Sequence, residues 1–573
     1  MSSPENEYTE QQYLDILKEG STPFDRFVSR GDIKDPVDIP GPRGEFEQVF
    51  LSLVEGVATG GVPRFLPIVG SSGSGKTHTY WALKDREKAQ ETHTWTVIYV
   101  PSPPAAVRIL FHVYTCLTNE VPEFIENVSN TLLWRYMGTD VGDLGKSNIS
   151  TIIDKAKAEN PAVFVDAIRA FMTYALHEDK NKRRLAKRWL LGDALDEAEM
   201  DQLGVKTPLD SDEACLAMIQ IISENLAAED SSNGDAVGIR SKIMAFFFDE
   251  FESPFRTHGH DAEIKLIEKI EQILASVKNI IVIGAILKDV YDHIIDIFSP
   301  ESRNQVEPAI ELQPFTFDDL SLYLSRAQEQ FWTQKGMPPP GYLAFPLNDE
   351  LLKHIFEKSN GNPREAIKLT RVFVEKVVSG DLSLEEFGIK AKVEEVHQAA
   401  KDIDAIISRE ALNVDVNASS LSSAIIIGLQ EVTFTKCPDK DAPGYEIGYT
   451  FSIGERRSTI GALVNVDEEK VGFDIPSVKS FDRSGGVAAF YSAKRLAEGL
   501  ATKVFERALL IMPKGSSGQK LQFILEKNPN LIPLEIDQAQ ATQIVQAALN
   551  PGMELSRTVV EITKIVTRWP IDE

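Results

Sequence analysis

The chain has little cysteine, only Cys116, Cys215 and Cys437 in 573 residues. They lie far apart in sequence, which excludes a disulfide framework and a clustered thiolate zinc site and fits reducing, cytoplasmic surroundings. There is no run of eighteen apolar residues, so no membrane span is expected. The opening MSSPENEYTEQQY is acidic and polar, unlike a signal peptide. Positive charge is also in deficit. With 86 acidic and 60 basic residues the formal net charge is -26, which argues against a surface that wraps nucleic acid throughout. A local basic groove stays open. What remains is an ordinary globular composition, 43% apolar and 25% charged, with length for about two to four domains.

Against that background one stretch stands out. RFLPIV is followed by GSSGSGKTHTYWALKD, which contains Gly70-x-x-x-x-Gly75-Lys76-Thr77. A buried strand at Phe65 to Val69, then Gly70, Ser71, Ser72, Gly73, Ser74, Gly75, Lys76 and Thr77, then a helix, is the order a phosphate-binding loop requires. Glycines let the backbone wrap a phosphate, and the loop amides and the helix N-terminus supply partial positive charge. Lys76 should reach the β- and γ-phosphates of ATP, and Thr77 should ligate Mg2+. The second half of such a site is an apolar strand ending in acid. IMAFFFDEFESPF, Ile243 to Phe255, provides it. Asp249 suits the magnesium-holding role, and Glu250 suits the general base that deprotonates water. PAVFVDAIRAF also ends near an acid, Asp166, but its apolar spacing continues as a helix.

TWTVIYV (Thr94 to Val100) and NIIVI (Asn279 to Ile283) read as further buried strands, giving strand and helix alternation around a parallel sheet. Helix is expected over Ala105 to Leu117, and the run from Val141 to Arg240 is mostly helical. Within that run Lys180, Lys182, Arg183, Arg184, Lys187 and Arg188 form a basic helix face, either solvated or phosphate-binding.

The phosphate loop, the strand ending in Asp249-Glu250, a further strand and the segment ELQPFTFDDLSLYL…FEKSNGNPREAIKL together resemble an AAA+ ATPase. The resemblance is to the branch of origin-recognition and helicase-loader ATPases and to related STAND-type ATPases, and it covers about Pro36 to Gly380. KRWLLGDALDEAEMDQLGVKTPLDSDEACLAMIQII is similar to ATPases of phage-restriction systems of the BREX kind. The resemblance implies an N-terminal extension over 1–35 and a P-loop core over 36–311 with a helical insertion at about 141–240. It also implies a helical lid over 312–400 and a C-terminal α/β domain over 402–573. It places Arg43 and Glu45 of PGPRGEFEQVF beside the adenine. Arg364 of GNPREAIKL corresponds to the sensor arginine that touches the γ-phosphate from the lid. Arg303 stands where an arginine can reach a neighbouring subunit's nucleotide, which implies a homo-oligomer. The strand NIIVIGAILKD departs from the pattern: Gly284 and Ala285 occupy the usual polar sensor position, with Lys288 or Asp289 as substitutes.

After about Asp402 the order helix, EVTFTK, GYEIGYTFSIG, STIGALVNV, helix, RALLIMP, helix, NLIPLEI resembles the restriction-endonuclease-like fold, with the first three segments after the helix as antiparallel strands. Its chemistry needs an Asp and an E-x-K or D-x-K on consecutive strands to hold a metal ion. The expected strand reads ALVNV, with Asn465 near the lysine position, and Glu455, Arg456 and Arg457 lie in the turn before it. An inactive relative that docks DNA or protein is expected; a plain α/β accessory domain is the alternative. The leading expectation for the whole chain is an ATP-driven switch that controls assembly or a protein partner in DNA-linked defence or mobile-element biology. A DNA-loading or DNA-remodelling ATPase is the alternative, and the missing carboxylate–lysine pair disfavours an ATPase-regulated nuclease.

Overall fold

A computed structural model describes residues 8–24, 37–90, 93–101, 108–137, 148–193, 195–226, 242–254, 260–380, 416, 418–453, 456–467, 469–478, 480–481, 486–549 and 556–571. Within the expected insertion and lid, residues 227–241 and 381–400 lie outside the described residues, as do Glu455 and the side chains of Arg456 and Arg457.

Five strands form the first sheet: β1 (Arg64–Gly70), β2 (Trp95–Val100), β3 (Ile243–Phe248), β4 (Ile280–Leu287) and β5 (Ile310–Glu311). They run parallel in the order β2-β3-β4-β1-β5. β3 is buried along its whole length, as expected of a parallel strand covered on both faces. Met244, Phe246 and Phe248 enter one core, and Ile243, Ala245 and Phe247 enter the other. That alternation is the two-residue period of a strand. Among the described residues, seven helices between β2 and β3, from Ile109–Glu120 to Asp212–Asn225, share the first of these cores. The helical run therefore begins well before residue 141. The Val165–Leu176 stretch is helical as expected, and Asp166 accepts the Lys206 and Thr207 amides at 2.8 Å each.

The lid is built from helices Phe317–Gln334, Asp349–Ser359 and Pro363–Ser379 around a separate apolar core. The N-terminal helix Glu10–Leu17 packs into that core rather than standing apart. The Tyr13 ring meets Trp332 edge-on with centroids 5.0 Å apart, and its hydroxyl donates to the Pro338 carbonyl at 2.9 Å.

The C-terminal sheet has the order β12-β11-β10-β9-β6. Its strands are β6 (Gly444–Ile447), β9 (Ala462–Val466), β10 (Glu469–Asp474), β11 (Arg507–Pro513) and β12 (Leu531–Ile536). β9 is antiparallel to β6 and β10, whereas β10, β11 and β12 are parallel. β7 (Thr450–Ile453) and β8 (Arg456–Thr459) form a separate hairpin. Two apolar clusters cover the two faces of the larger sheet, giving three layers. EVTFTK is the last part of the helix Ala418–Lys436, not a strand. Its Thr433 and Thr435 hydroxyls bond back to the carbonyls four residues earlier, at 2.9 and 2.7 Å. β10 and the two final helices, Gln538–Leu549 and Arg557–Thr567, add to the expected order.

This domain is clasped to the core through buried charge. Asp474, at the end of β10, accepts Nε and Nη2 of Arg495 at 3.1 and 2.8 Å and the Gly461 amide at 3.0 Å. Arg495 also reaches Asp210 of the helical insertion at 3.0 Å. Arg108, which leads into helix Ile109–Glu120, bonds Asp474 at 3.4 Å and the Ser477 hydroxyl. Burial opposes the Arg495 charge, but Asp474 and Asp210 outweigh it and raise its pKa.

Candidate functional site

The C-terminal ends of β1, β3 and β4 converge, as ligand sites in open α/β sheets do. Between them and the lid lies a cavity of about 210 Å³. Its floor is the loop Ser72 to Thr77. Gly73 and Gly75 adopt φ of +78° and +98°, a backbone that side chains resist, and Lys76 opens the following helix. The Lys76 ammonium donates to the Gly70 and Ser71 carbonyls at 2.9 Å each. Burial lowers the Lys76 pKa, and Glu252, Asp249 and Glu250 oppose that shift, in decreasing order. Gly70 and Ser71 lie behind the lining. Ser74 lines the cavity, and its buried hydroxyl has no hydrogen-bond partner.

Thr77 donates its hydroxyl to Asp249 at 2.7 Å, which brings the two expected magnesium-holding residues together. Tyr99, at the end of β2, donates to the same Asp249 oxygen at 2.8 Å. Burial and the Asp249 charge hold the Tyr99 phenol well above its ordinary pKa, so it stays a donor. The hard oxygens of Thr77 and Asp249, the unpartnered Ser74 hydroxyl and the glycine-lined loop fit a magnesium–triphosphate group. Sequence reasoning missed Tyr99, whose only signal was its place at a strand end.

The lid touches the loop directly. Asn362 caps helix Pro363–Ser379, and its amide donates to the Ser72 carbonyl at 2.7 Å. The Arg364 guanidinium lies 3.4 Å from the Ser72 hydroxyl, and Arg364 lines the cavity. A methyl group on Gly73 would sit 2.8 Å from both Arg364 Cβ and Asn362 Oδ1. We expect Gly73→Ala to weaken ATP binding about tenfold, roughly 1.4 kcal/mol, because it strains the loop and pushes the lid away. Titration with labelled ATP checks this; an unchanged affinity would show that the close approach is dispensable.

The far wall is apolar, with Val37, Ile39, Pro42, Leu312, Phe315 and Tyr323, and is suited to a flat base. Arg43 belongs to this wall but is largely buried, and its guanidinium is taken up by Glu47 and Asp38 at 2.6 Å each and by the Ile39 carbonyl at 2.9 Å. It thus frames the pocket. On its own helix it pairs with Glu47, one turn on, whereas Glu45 is exposed. Arg303 is outside the cavity lining, bonded locally to the Phe298 carbonyl at 3.0 Å and the Asp296 carbonyl at 2.8 Å.

The acidic turn after β3 differs most from expectation. Glu250 lines the cavity but is exposed, with φ of +47°. That turn sends Phe251 into the core against Phe65 and Phe248 and returns Glu252, also buried, to the cavity. Gly284 and Ala285 lie inside β4, which runs on to Leu287, so they are not at its tip. Gly284 is needed there because a Cβ would meet the Phe65 ring at 2.8 Å. Lys288 is exposed and pairs with Glu311 at 2.6 Å, and neither it nor Asp289 lines the cavity.

No family model and no curated protein matches the chain. Among solved structures, the Aeropyrum pernix ORC2 protein in its ADP form is similar at 13% identity and a TM-score of 0.34, over 72% of this chain and 78% of that one. The Aeropyrum pernix ORC1 protein in complex with DNA is similar at 14% identity and a TM-score of 0.30, over 71% and 75%. Drosophila ORC bound to DNA is similar at 10% identity and a TM-score of 0.30, over 76% and 75%. At these TM-scores the likeness carries no functional weight, and the geometry of the site has to carry it.

Proposed function

We propose that the chain is an ATP-hydrolysing switch of the AAA+ kind, with nucleotide held between core and lid. The observation that carries this is the meeting of Lys76, Thr77 and Asp249 from the core with Arg364 from the lid around one cavity. Lys76 and the loop amides bind the phosphates, and Arg364 contributes a guanidinium from the lid. Thr77 and Asp249 would hold magnesium, which when bound neutralises charge on the β- and γ-phosphates. Glu250 takes a proton from water as the water oxygen bonds to the γ-phosphorus and the β–γ bridging oxygen departs with ADP.

Arg303, exposed outside the chain's own site, is the residue offered to a neighbouring copy's nucleotide in a homo-oligomer. In the C-terminal sheet β9 runs antiparallel to both β6 and β10, and these consecutive antiparallel strands support the nuclease-like reading. Asn465 is exposed on β9, so the domain serves as a docking platform for DNA or a protein partner rather than as a nuclease. The BREX-like segment points to DNA-linked defence or mobile elements, in the cytoplasm. Helix Lys180–Leu190 buries Leu185, Ala186, Trp189 and Leu190 and exposes Lys180, Arg183, Arg184 and Lys187, a basic face open to phosphates.

The test is ATP hydrolysis against protein concentration, with and without double-stranded DNA. A rate per subunit that climbs with concentration supports the assembled switch, and a further rise with DNA supports the loading or remodelling alternative. Absence of both nucleotide binding and turnover under every condition would refute the proposal.

A further inference from the structure

The β4 tip lacks the polar side chain expected to orient water, yet the cavity is not short of a group there. β1 and β4 are paired so that Gly70, the first residue of the phosphate loop, lies opposite Leu287, the last residue of β4. The Leu287 amide donates to Glu252 Oε2 at 3.2 Å. This bond pins a buried carboxylate from the turn after β3 at the tip of β4, beside the start of the phosphate loop. Glu252 lines the cavity with Lys76, Thr77, Asp249 and Arg364. Its charge acts on the Lys76 ammonium more strongly than that of Asp249 or Glu250. A side chain only 4% exposed has little freedom to leave this position.

Resting on the ATPase reading above, we propose that Glu252 is the positioning residue for the attacking water, supplied from the β3 turn to the place where β4 carries no polar side chain. An ionised carboxylate only accepts hydrogen bonds, so it can orient a water molecule by taking one of its O–H groups. The other proton then points towards Glu250, which removes it. Glu250 is exposed on a left-handed turn, and Glu252 is fixed by the Leu287 amide. The two carboxylates thus divide the work: one orients the water, the other takes its proton.

The experiment compares wild type, Glu252→Gln and Glu250→Gln by steady-state ATP hydrolysis, labelled-ATP binding and thermal unfolding. Glu252→Gln should lose about 10²-fold in kcat, with KM and ATP affinity within about threefold of wild type and an unchanged melting temperature. A purely structural role would instead lower stability or affinity. Should Glu252→Gln fail to fold, Glu252→Asp carries the test: it keeps the charge but withdraws the carboxylate by one methylene, and kcat should fall at constant KM. Wild-type kcat in the folded variant, together with a slow Glu250→Gln, overturns the role of Glu252 and leaves the ATPase reading standing. A wild-type protein that neither binds nor hydrolyses ATP overturns both.

Discussion

Lys76→Ala is expected to cut ATP turnover by roughly 10²–10³-fold, the scale of losing one charged donor to a transferring phosphoryl group. The ammonium stands at the start of helix Lys76–Lys88, held by two carbonyls of its own loop. Those bonds aim it across the loop, where β- and γ-phosphates would replace the carbonyls as partners. Fold stability should stay near wild type, since the two carbonyls keep access to water once the side chain is gone. Labelled-ATP binding and phosphate release, with thermal unfolding as control, read this out. Wild-type turnover in the alanine variant would mean that the cavity is not where the chain handles phosphate.

The second large effect concerns stability. Asp474→Ala should destabilise the junction between core and C-terminal domain by about 3–5 kcal/mol, because it strands buried guanidinium charge. Asp474 is 1% exposed and is the carboxylate shared by Arg495 and Arg108. Arg495 would keep only Asp210 as an acidic partner among its described bonds. Adding Arg495→Ala to Asp474→Ala should cost less than the sum of the single changes, as in any network that fails as a unit. Denaturant unfolding followed by tryptophan fluorescence measures this. A loss below about 1 kcal/mol would show that the clasp is wet and weak.

Much of the core was legible because its signals are local. A phosphate loop declares itself in eight residues, and a strand as apolar as IMAFFF can only lie inside. Asn362 was readable as a cap and Arg364 as a residue of the first turn after it. The failures are of two physical kinds. Some elements were misjudged because propensity yields to packing. EVTFTK alternates like a strand, yet Val432 and Thr433 are both buried in the continuing helix. Glu47 drew no notice in the sequence, yet a helix brings residues four apart together and pairs it with Arg43. Other features depend on distant partners. Nothing near Tyr13 announces that it docks beneath Trp332, and nothing in DEFE says that a left-handed turn at Glu250 returns Glu252 to the cavity.

Tyr99 and Arg108 sit nine residues apart on the stretch leaving β2, of which 102–107 are not described. One end bonds the carboxylate that would hold magnesium, and the other is buried in the C-terminal domain against Asp474. A metal ion at Asp249 competes with the Tyr99 hydroxyl for the same oxygen that Thr77 also uses. Filling that oxygen would thus displace a phenol only nine positions along the chain from the buried guanidinium that joins the C-terminal domain.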